Sequence, residues 1–358
     1  MRVPNRNLLV GAGLLTAAVG LREVLGRSRQ AELAGQSVLV TGGSHGLGFL
    51  LAREFAAEGC RVAICARDPQ ELAEAQQALA GAGQSVTAVA CDVGKPDEVR
   101  RLLDEVAGRH GRIDILVNNA GVIQVGPIDA MSVSDFEQAL DTMFWGMVHP
   151  TLAVLPEMLE QRGGRIVNVT SIGGKLSAPH LLPYSCAKFA AVAFSEGLRA
   201  ELDARGVKVT TIVPGLMRTG SYLNAFFKGR RSNEFTFFAL AASLPLVSMD
   251  GERAARQVVR ATRRGEPERI LSTPANLAAR VHGAFPELTL EVMALVNRLL
   301  PSAQGGSREA ARGVDIWREV RSPLLSATTS LGLAAARRFQ PQALTGDGGL
   351  AVGARRRR

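Results

Sequence analysis

Ser37-Val38-Leu39-Val40-Thr41-Gly42-Gly43-Ser44-His45-Gly46-Leu47-Gly48 reads as a short apolar strand, a glycine-rich turn and the opening of a helix. Glycines in such a turn let the backbone come close to a ligand. The N–H groups and dipole at the helix start then favour a pyrophosphate. Gly42, Ser44, His45, Gly46, Leu47 and Gly48 are therefore candidate dinucleotide-binding residues. Their arrangement is T-G-x-x-x-G-x-G rather than the plain G-x-G-x-x-G.

Outward from this turn, short apolar runs alternate with helical stretches. Strands are expected over 37–41, 61–66, 85–91, 113–118, 165–171 and 207–213. Helices are expected over 47–58, 70–81, 96–108, 134–162 and 183–204, the fourth with Pro150 and Pro156 inside it. Strand–helix alternation with largely apolar strands predicts a parallel sheet covered on both faces, with a ligand crevice beyond the strand C-termini. The second strand ends Cys65-Ala66-Arg67, about 20 residues on, where an NAD-binding chain carries Asp or Glu for the ribose hydroxyls. Arg67 can instead pair with a 2′-phosphate, so NADP is favoured over NAD.

Tyr184-Ser185-Cys186-Ala187-Lys188 places a tyrosine and a lysine four apart, on one face of a helix. The lysine's charge is expected to favour ionisation of the phenol, whose ordinary pKa is about 10. Such a tyrosine can exchange a proton with an alcohol or a ketone. Ser171 stands thirteen residues upstream and can polarise the same oxygen.

These motifs, in this order and spacing, resemble the classical short-chain dehydrogenase/reductase family over roughly residues 35–265. The glycine turn, Asp92 after the third strand, Asn118-Asn119-Ala120-Gly121 after the fourth, Ser171, Tyr184, Lys188 and Pro214-Gly215 carry the resemblance. It implies an α/β fold, a Rossmann-type doubly wound parallel sheet of about seven strands. A helical C-terminal extension over 266–335 is expected beyond it. The resemblance puts Asp92 and Val93 near the adenine. It puts Asn119, Ala120 and Gly121 along the cofactor groove, and Pro214, Gly215 and Thr219 beside the nicotinamide. It makes Tyr184 the general acid or base, has Lys188 lower its pKa and hold the nicotinamide ribose, and has Ser171 hold the substrate oxygen. The activity implied is an NADP(H)-preferring interconversion of an alcohol with a ketone or aldehyde.

One position departs from the family pattern. The family carries an asparagine three residues before the glycine that is Gly146 here, and this chain has Met143, in Thr142-Met143-Phe144-Trp145-Gly146. That asparagine supports a water chain relaying protons from the lysine. A thioether is only a weak acceptor. A slower enzyme, a different relay, and a cofactor-binding sensor or scaffold with weak catalysis all remain open.

Composition bounds the other readings. The chain has 358 residues, 46% hydrophobic, and a net charge of +9. Residues 1–30 carry +4 and residues 336–358 carry +5, so the body is neutral and a nucleic-acid partner is not expected. The basic ends suit an anionic membrane surface or simple solubilisation. The apolar run 8–21 is 14 residues long, against about 20 for a spanning helix, and reads as a tether, a packed leader helix or a signal. Cys60, Cys65, Cys91 and Cys186 show no metal-like spacing, so no metal is expected. They read as small buried hydrophobes in a reducing, cytoplasmic setting. Asn168-Val169-Thr170 is formally a glycosylation acceptor, discounted because it lies in an apolar strand.

Residues 220–249 break the strand–helix rhythm and hold five of the 13 phenylalanines. They stand where the family has its substrate loop. An apolar lid over a lipophilic alcohol or carbonyl, a segment packed on the body, and a dip into a membrane interface are all open. Residues 251–264 and 274–300 look helical, the latter with Leu288, Val292, Leu295 and Leu299 at helical spacing, suited to covering the sheet's edge or a neighbour. The Gly- and Ser-rich stretch 303–313 and the basic tail 340–358 are expected to be loosely ordered. The resemblance also makes a homo-oligomer an expectation.

Overall fold

The apolar strands assemble into one sheet of seven parallel strands: β1 (Ser37–Thr41), β2 (Arg61–Ala66), β3 (Val86–Ala90), β4 (Ile115–Asn118), β5 (Arg165–Val169), β6 (Lys208–Val213) and β7 (Glu268–Ile270). Their spatial order is β7-β6-β5-β4-β1-β2-β3. The computed structural model describes residues 30–302, 305–320 and 322–339. The leader before Gln30 and the tail over 340–358 lie outside the described residues.

Alternation along each strand builds two cores from one sheet. Val38, Val40, Ile115, Val117 and Val167 face one way, onto Leu50, Phe55 and Val258 of the helices Gly46–Ala57 and Gly251–Arg264. Leu39, Leu116 and Ile166 face the other way, onto Leu102, Val154 and Leu202 of the helices Pro96–His110, Gly146–Glu160 and Leu182–Leu202. Both faces are covered, as continuous apolar strands require.

The order reverses between β1 and β4, which opens a crevice at their C-terminal ends. The glycine turn leaves β1 there, and Asn119 leaves β4. Ser171 follows β5 and Pro214 follows β6. A buried polar row locks these ends together. Asn118 Nδ2 donates to Asn168 Oδ1 at 2.9 Å, Asn168 Nδ2 donates to Ser195 Oγ at 3.0 Å, and Ser195 and Thr211 share a hydroxyl contact of 2.7 Å. Asn168 is fully buried in this row, in keeping with the discounted glycosylation pattern.

Outside the sheet, several segments differ from expectation. The helix expected over 134–162 is interrupted by a π-turn, Asp141–Trp145, between Val133–Leu140 and Gly146–Glu160. The helix expected over 274–300 is two, Thr273–Ala284 and Pro286–Asn297. Pro286 disfavours helical backbone at Phe285. Ser307–Arg312 is a strand rather than loose chain, because it pairs antiparallel with Phe226–Gly229. Segment 220–249 is partly core. Phe227 and Phe235 are fully buried with ring centroids 5.4 Å apart, against Tyr222 and Trp317. Leu288, Leu295 and Leu299 do not cover the sheet edge; Leu299 is 77% exposed. Cys60, Cys65 and Cys91 are buried, but Cys186 is exposed on the outer side of its helix.

Candidate active site

The glycine turn is shaped by what cannot fit there. A Cβ on Gly48 would stand 2.0 Å from the Gly42 carbonyl oxygen, and one on Gly42 would stand 2.8 Å from Ala120 Cα. Gly42 and Gly46 have φ of 64° and 59°, the left-handed region that glycine enters at no steric cost. Asn119 secures the turn to the end of β4: its Nδ2 donates to the carbonyl oxygens of Thr41 at 3.0 Å and Gly42 at 3.1 Å. Thr41 Oγ1 accepts from the backbone N–H groups of Asn119 and Ala120 at 2.9 and 3.1 Å. His45, which precedes the helix, makes no side-chain cap. The first-turn N–H groups are thus left uncapped by side chains, beside a turn whose glycines pack too closely on Ala120, Ile64 and Asn119 to admit a Cβ. These residues fit a dinucleotide pyrophosphate.

At the end of β2, Arg67 is exposed and has no partner among the described residues. The nearby carboxylate, Asp68, does not take the ribose position. Its Oδ1 accepts from the N–H groups of Gln70 and Glu71 at 2.8 and 3.1 Å and caps the helix Pro69–Gly81. Asp92 is likewise engaged with its own loop, accepting from Gly94 N at 3.1 Å. Val93 is buried beneath the π-turn, 2.6 Å from where a Cβ on Gly146 would stand.

On the catalytic side, the Tyr184 hydroxyl lies near Ser171. Ser171 Oγ accepts from Gly173 N at 3.0 Å. Lys188 is buried, its Nζ donates to the Val169 carbonyl at 2.8 Å, and it lies 5.9 Å from the Tyr184 ring centroid. Burial pulls the ammonium down from 10.5 to about 8. The expected lowering of the phenol is not found. Burial raises Tyr184 above its ordinary value, and the Ser171 hydroxyl works against that rise. The physical reason is that the phenol lies in a buried setting, which disfavours its charged form.

Met143 sits in the π-turn, 1% exposed, among Val122, Ala139 and Ala187 with Tyr184 packed beside them. No polar side chain takes the position that the family fills with asparagine. Thr142, its neighbour, lines the same cavity.

One cavity of about 720 Å³ joins these parts. Gly42, Ser44, His45, Gly46, Leu47, Gly48 and Arg67 line one side of it, with Asp92, Val93, Asn119, Ala120 and Gly121 along the floor. Ser171, Tyr184, Lys188, Pro214, Gly215 and Thr219 line it further on. Every sequence-predicted site residue therefore meets in this one space. Phe237, Phe238, Met293 and Val296 from the later segments complete an apolar far end. Among the described residues, no group of His, Cys, Asp or Glu could hold a metal ion.

Several lining residues escaped the sequence reading. Gly173 and Gly174 keep the turn after Ser171 thin: Cβ atoms there would stand 3.1 Å from Tyr184 Cε1 and 2.5 Å from the Lys188 carbonyl oxygen. The Gly-Gly pair next to Ser171 was the available signal. Arg312 reaches the cavity from the C-terminal region, 3.8 Å from Glu71, and His180 and Glu234 pair within the wall. These last arise from tertiary contacts across 54 residues or more and leave no local pattern.

Comparison with known proteins points the same way. The sequence profile of the short chain dehydrogenase family matches residues 36–226. Dehydrogenase/reductase SDR family member 7B of Danio rerio is 36% identical over 231 residues, which span 62% of this chain and 75% of that protein. 11-beta-hydroxysteroid dehydrogenase 1A of Arabidopsis thaliana is 37% identical over 199 residues, 55% of this chain and 56% of that protein. A solved short-chain dehydrogenase from Streptomyces avermitilis superposes with a TM-score of 0.62 at 28% identity, over 74% of this chain and 97% of that one.

Proposed function

The chain belongs to the short-chain dehydrogenase family, and we propose that it is an NADP(H)-preferring reductase or dehydrogenase of a lipophilic carbonyl or alcohol. The observation that carries this reading is the meeting of Ser171, Tyr184 and Lys188 in the cavity that the glycine turn opens. Pro214, Gly215 and Thr219 would hold a nicotinamide that would supply or accept the hydride. In carbonyl reduction, Tyr184, kept protonated by burial, donates its proton to the substrate oxygen. Ser171 holds that oxygen by hydrogen bond and orients the phenol. Lys188 places a positive charge behind the pair and is steadied by Val169. The apolar residues of the far end favour a lipophilic skeleton and exclude water. The name of the Arabidopsis relative, a hydroxysteroid dehydrogenase, supports a substrate of that kind. The absence of a ribose-binding carboxylate after β2 and the unpaired Arg67 support NADP over NAD.

Two further assignments belong to the same reading. Trp145, Leu152 and Phe189 are exposed on neighbouring helical segments and suit a homo-oligomeric contact. Among the described residues, no helix is long and apolar enough to cross a membrane. The exposed leucines of Pro286–Asn297 together with the basic chain ends suit peripheral attachment to an anionic membrane surface. The test of the main assignment is NADPH oxidation by the full chain with a panel of apolar ketones and aldehydes, NADH serving as the comparison. Turnover that prefers NADPH supports it. NADPH binding without turnover across the panel favours the sensor reading that Met143 suggests.

A further inference from the structure

His180 and Glu234 form a hydrogen-bonded pair within the wall of the cavity that holds Tyr184. Glu234 is 2% exposed, on the first turn of the helix Arg231–Ser243, and both of its oxygens lie near His180 Nδ1, at 2.8 and 2.9 Å. A carboxylate only accepts, so the hydrogen-bond network assigns the proton to Nδ1. Nε2 is then left with a lone pair, or with a second proton when the ring is charged. No described residue pairs with Nε2, and it is not among the buried, unsatisfied atoms. The histidine lines the cavity, so Nε2 stays open to it.

The backbone is held to keep it there. His180 has φ 62°, a left-handed conformation that is uncommon outside glycine, and its carbonyl accepts from Gly126 N at 2.9 Å. Around it the wall is apolar, with Leu176, Ala178, Leu181, Phe238 and Ala242 among the lining residues. A buried carboxylate set behind a ring nitrogen, in a strained turn and within an apolar wall, is costly to place without a ligand for the exposed nitrogen.

We infer that His180, oriented by Glu234, is a binding site for a hydroxyl group on the substrate, remote from the carbonyl that Tyr184 and Ser171 hold. This rests on the carbonyl-reductase reading and narrows it: the substrate is a lipophilic hydroxyketone rather than a plain hydrocarbon ketone. Neutral His180, with its proton on Nδ1, accepts from the hydroxyl through Nε2. Glu234 fixes that tautomer.

The experiment uses pairs of ketones identical except for a distal hydroxyl, with the full chain, and compares the ratio of kcat/KM within each pair. Equilibrium affinity for both members, measured by calorimetry, is the second readout. The wild type is expected to prefer the best-placed hydroxyketone by about tenfold, the scale of one good hydrogen bond. His180→Asn tolerates the left-handed backbone and leaves an amide for Glu234, but withdraws the ring nitrogen. It is expected to bring the ratio to about one. Glu234→Gln still accepts from Nδ1–H and is expected to retain most of the preference, whereas Glu234→Leu is expected to lose it. Equal kcat/KM and equal affinity within every pair, unaffected by His180→Asn, overturn the proposal while leaving the reductase intact. A hydroxyl preference seen only in affinity, with no turnover, sustains the site and removes the reductase.

Discussion

Lys188 Nζ donates a 2.8 Å hydrogen bond to the Val169 carbonyl oxygen, holding a buried ammonium at the C-terminal end of β5. The arrangement works against stability. Burial lowers the lysine's pKa from 10.5 to about 8, so the unfolded chain binds the proton more tightly than the folded one. The penalty is full below pH 8 and fades as pH rises from about 8 to 10.5, so this term makes stability rise across that window. Lys188→Met should therefore stabilise the protein without added dinucleotide at pH 7, by about 2 kcal/mol once the lost hydrogen bond is subtracted. Thermal unfolding at pH 7 and near pH 10.5 checks this. The gain should be present at the first and gone at the second, and equal melting temperatures at pH 7 contradict it.

Gly48 tests the cofactor cradle. A Cβ there would stand 2.0 Å from the Gly42 oxygen and 2.5 Å from Asn119 Nδ2, so Gly48→Ala must push the turn off β4. A loss of at least about 1–3 kcal/mol is expected, together with loss of NADPH binding. Gly108, inside the helix Pro96–His110, faces open space, and a methyl added there would meet nothing within 4 Å. Gly108→Ala should stabilise by about 0.5–1 kcal/mol and leave NADPH affinity alone. Denaturant melts with NADPH titrations separate the two.

Met143 tests proton relay. In its apolar surroundings, asparagine should cost about 1–3 kcal/mol if its amide goes unpaired. If Met143 impairs relay rather than hydride transfer, Met143→Asn should nonetheless raise turnover and alter its pH profile. Steady-state kinetics across pH decide it, and an unchanged turnover and profile remove the relay idea.

Arg67 tests cofactor choice. Arg67→Ala should weaken NADPH binding about tenfold, with NADH binding changed little. The wild-type preference for NADPH should also shrink at high salt, because Arg67 is exposed. Fluorescence titration of both cofactors checks this, and equal losses for NADPH and NADH contradict it.

The sheet and the meeting of Ser171, Tyr184 and Lys188 were legible because each rests on local pattern: apolar strands, a glycine turn, a spacing of four on a helix. The raised Tyr184 phenol was not, since spacing tells which helix face Lys188 shares but not how deeply the folded chain buries the phenol. The division of segment 220–249 between core and cavity was equally hidden. Phe235 is buried against Trp317, far along the chain, whereas Phe237, two residues on, is 48% exposed and lines the cavity. The strand Ser307–Arg312 exists through its partner Phe226–Gly229 and not through its own composition. His180 carries no motif at all, and only the folded chain brings Glu234 to it.

The most direct test of the reductase assignment is Tyr184→Phe, which removes one hydroxyl from a ring that also packs against Met143 and Ala187. With NADPH and an apolar ketone that the wild type reduces, kcat should fall about 10²–10⁴-fold while NADPH affinity stays within a few-fold. Turnover that survives Tyr184→Phe at the wild-type rate contradicts the account, because no other described residue in the cavity is assigned to give that proton.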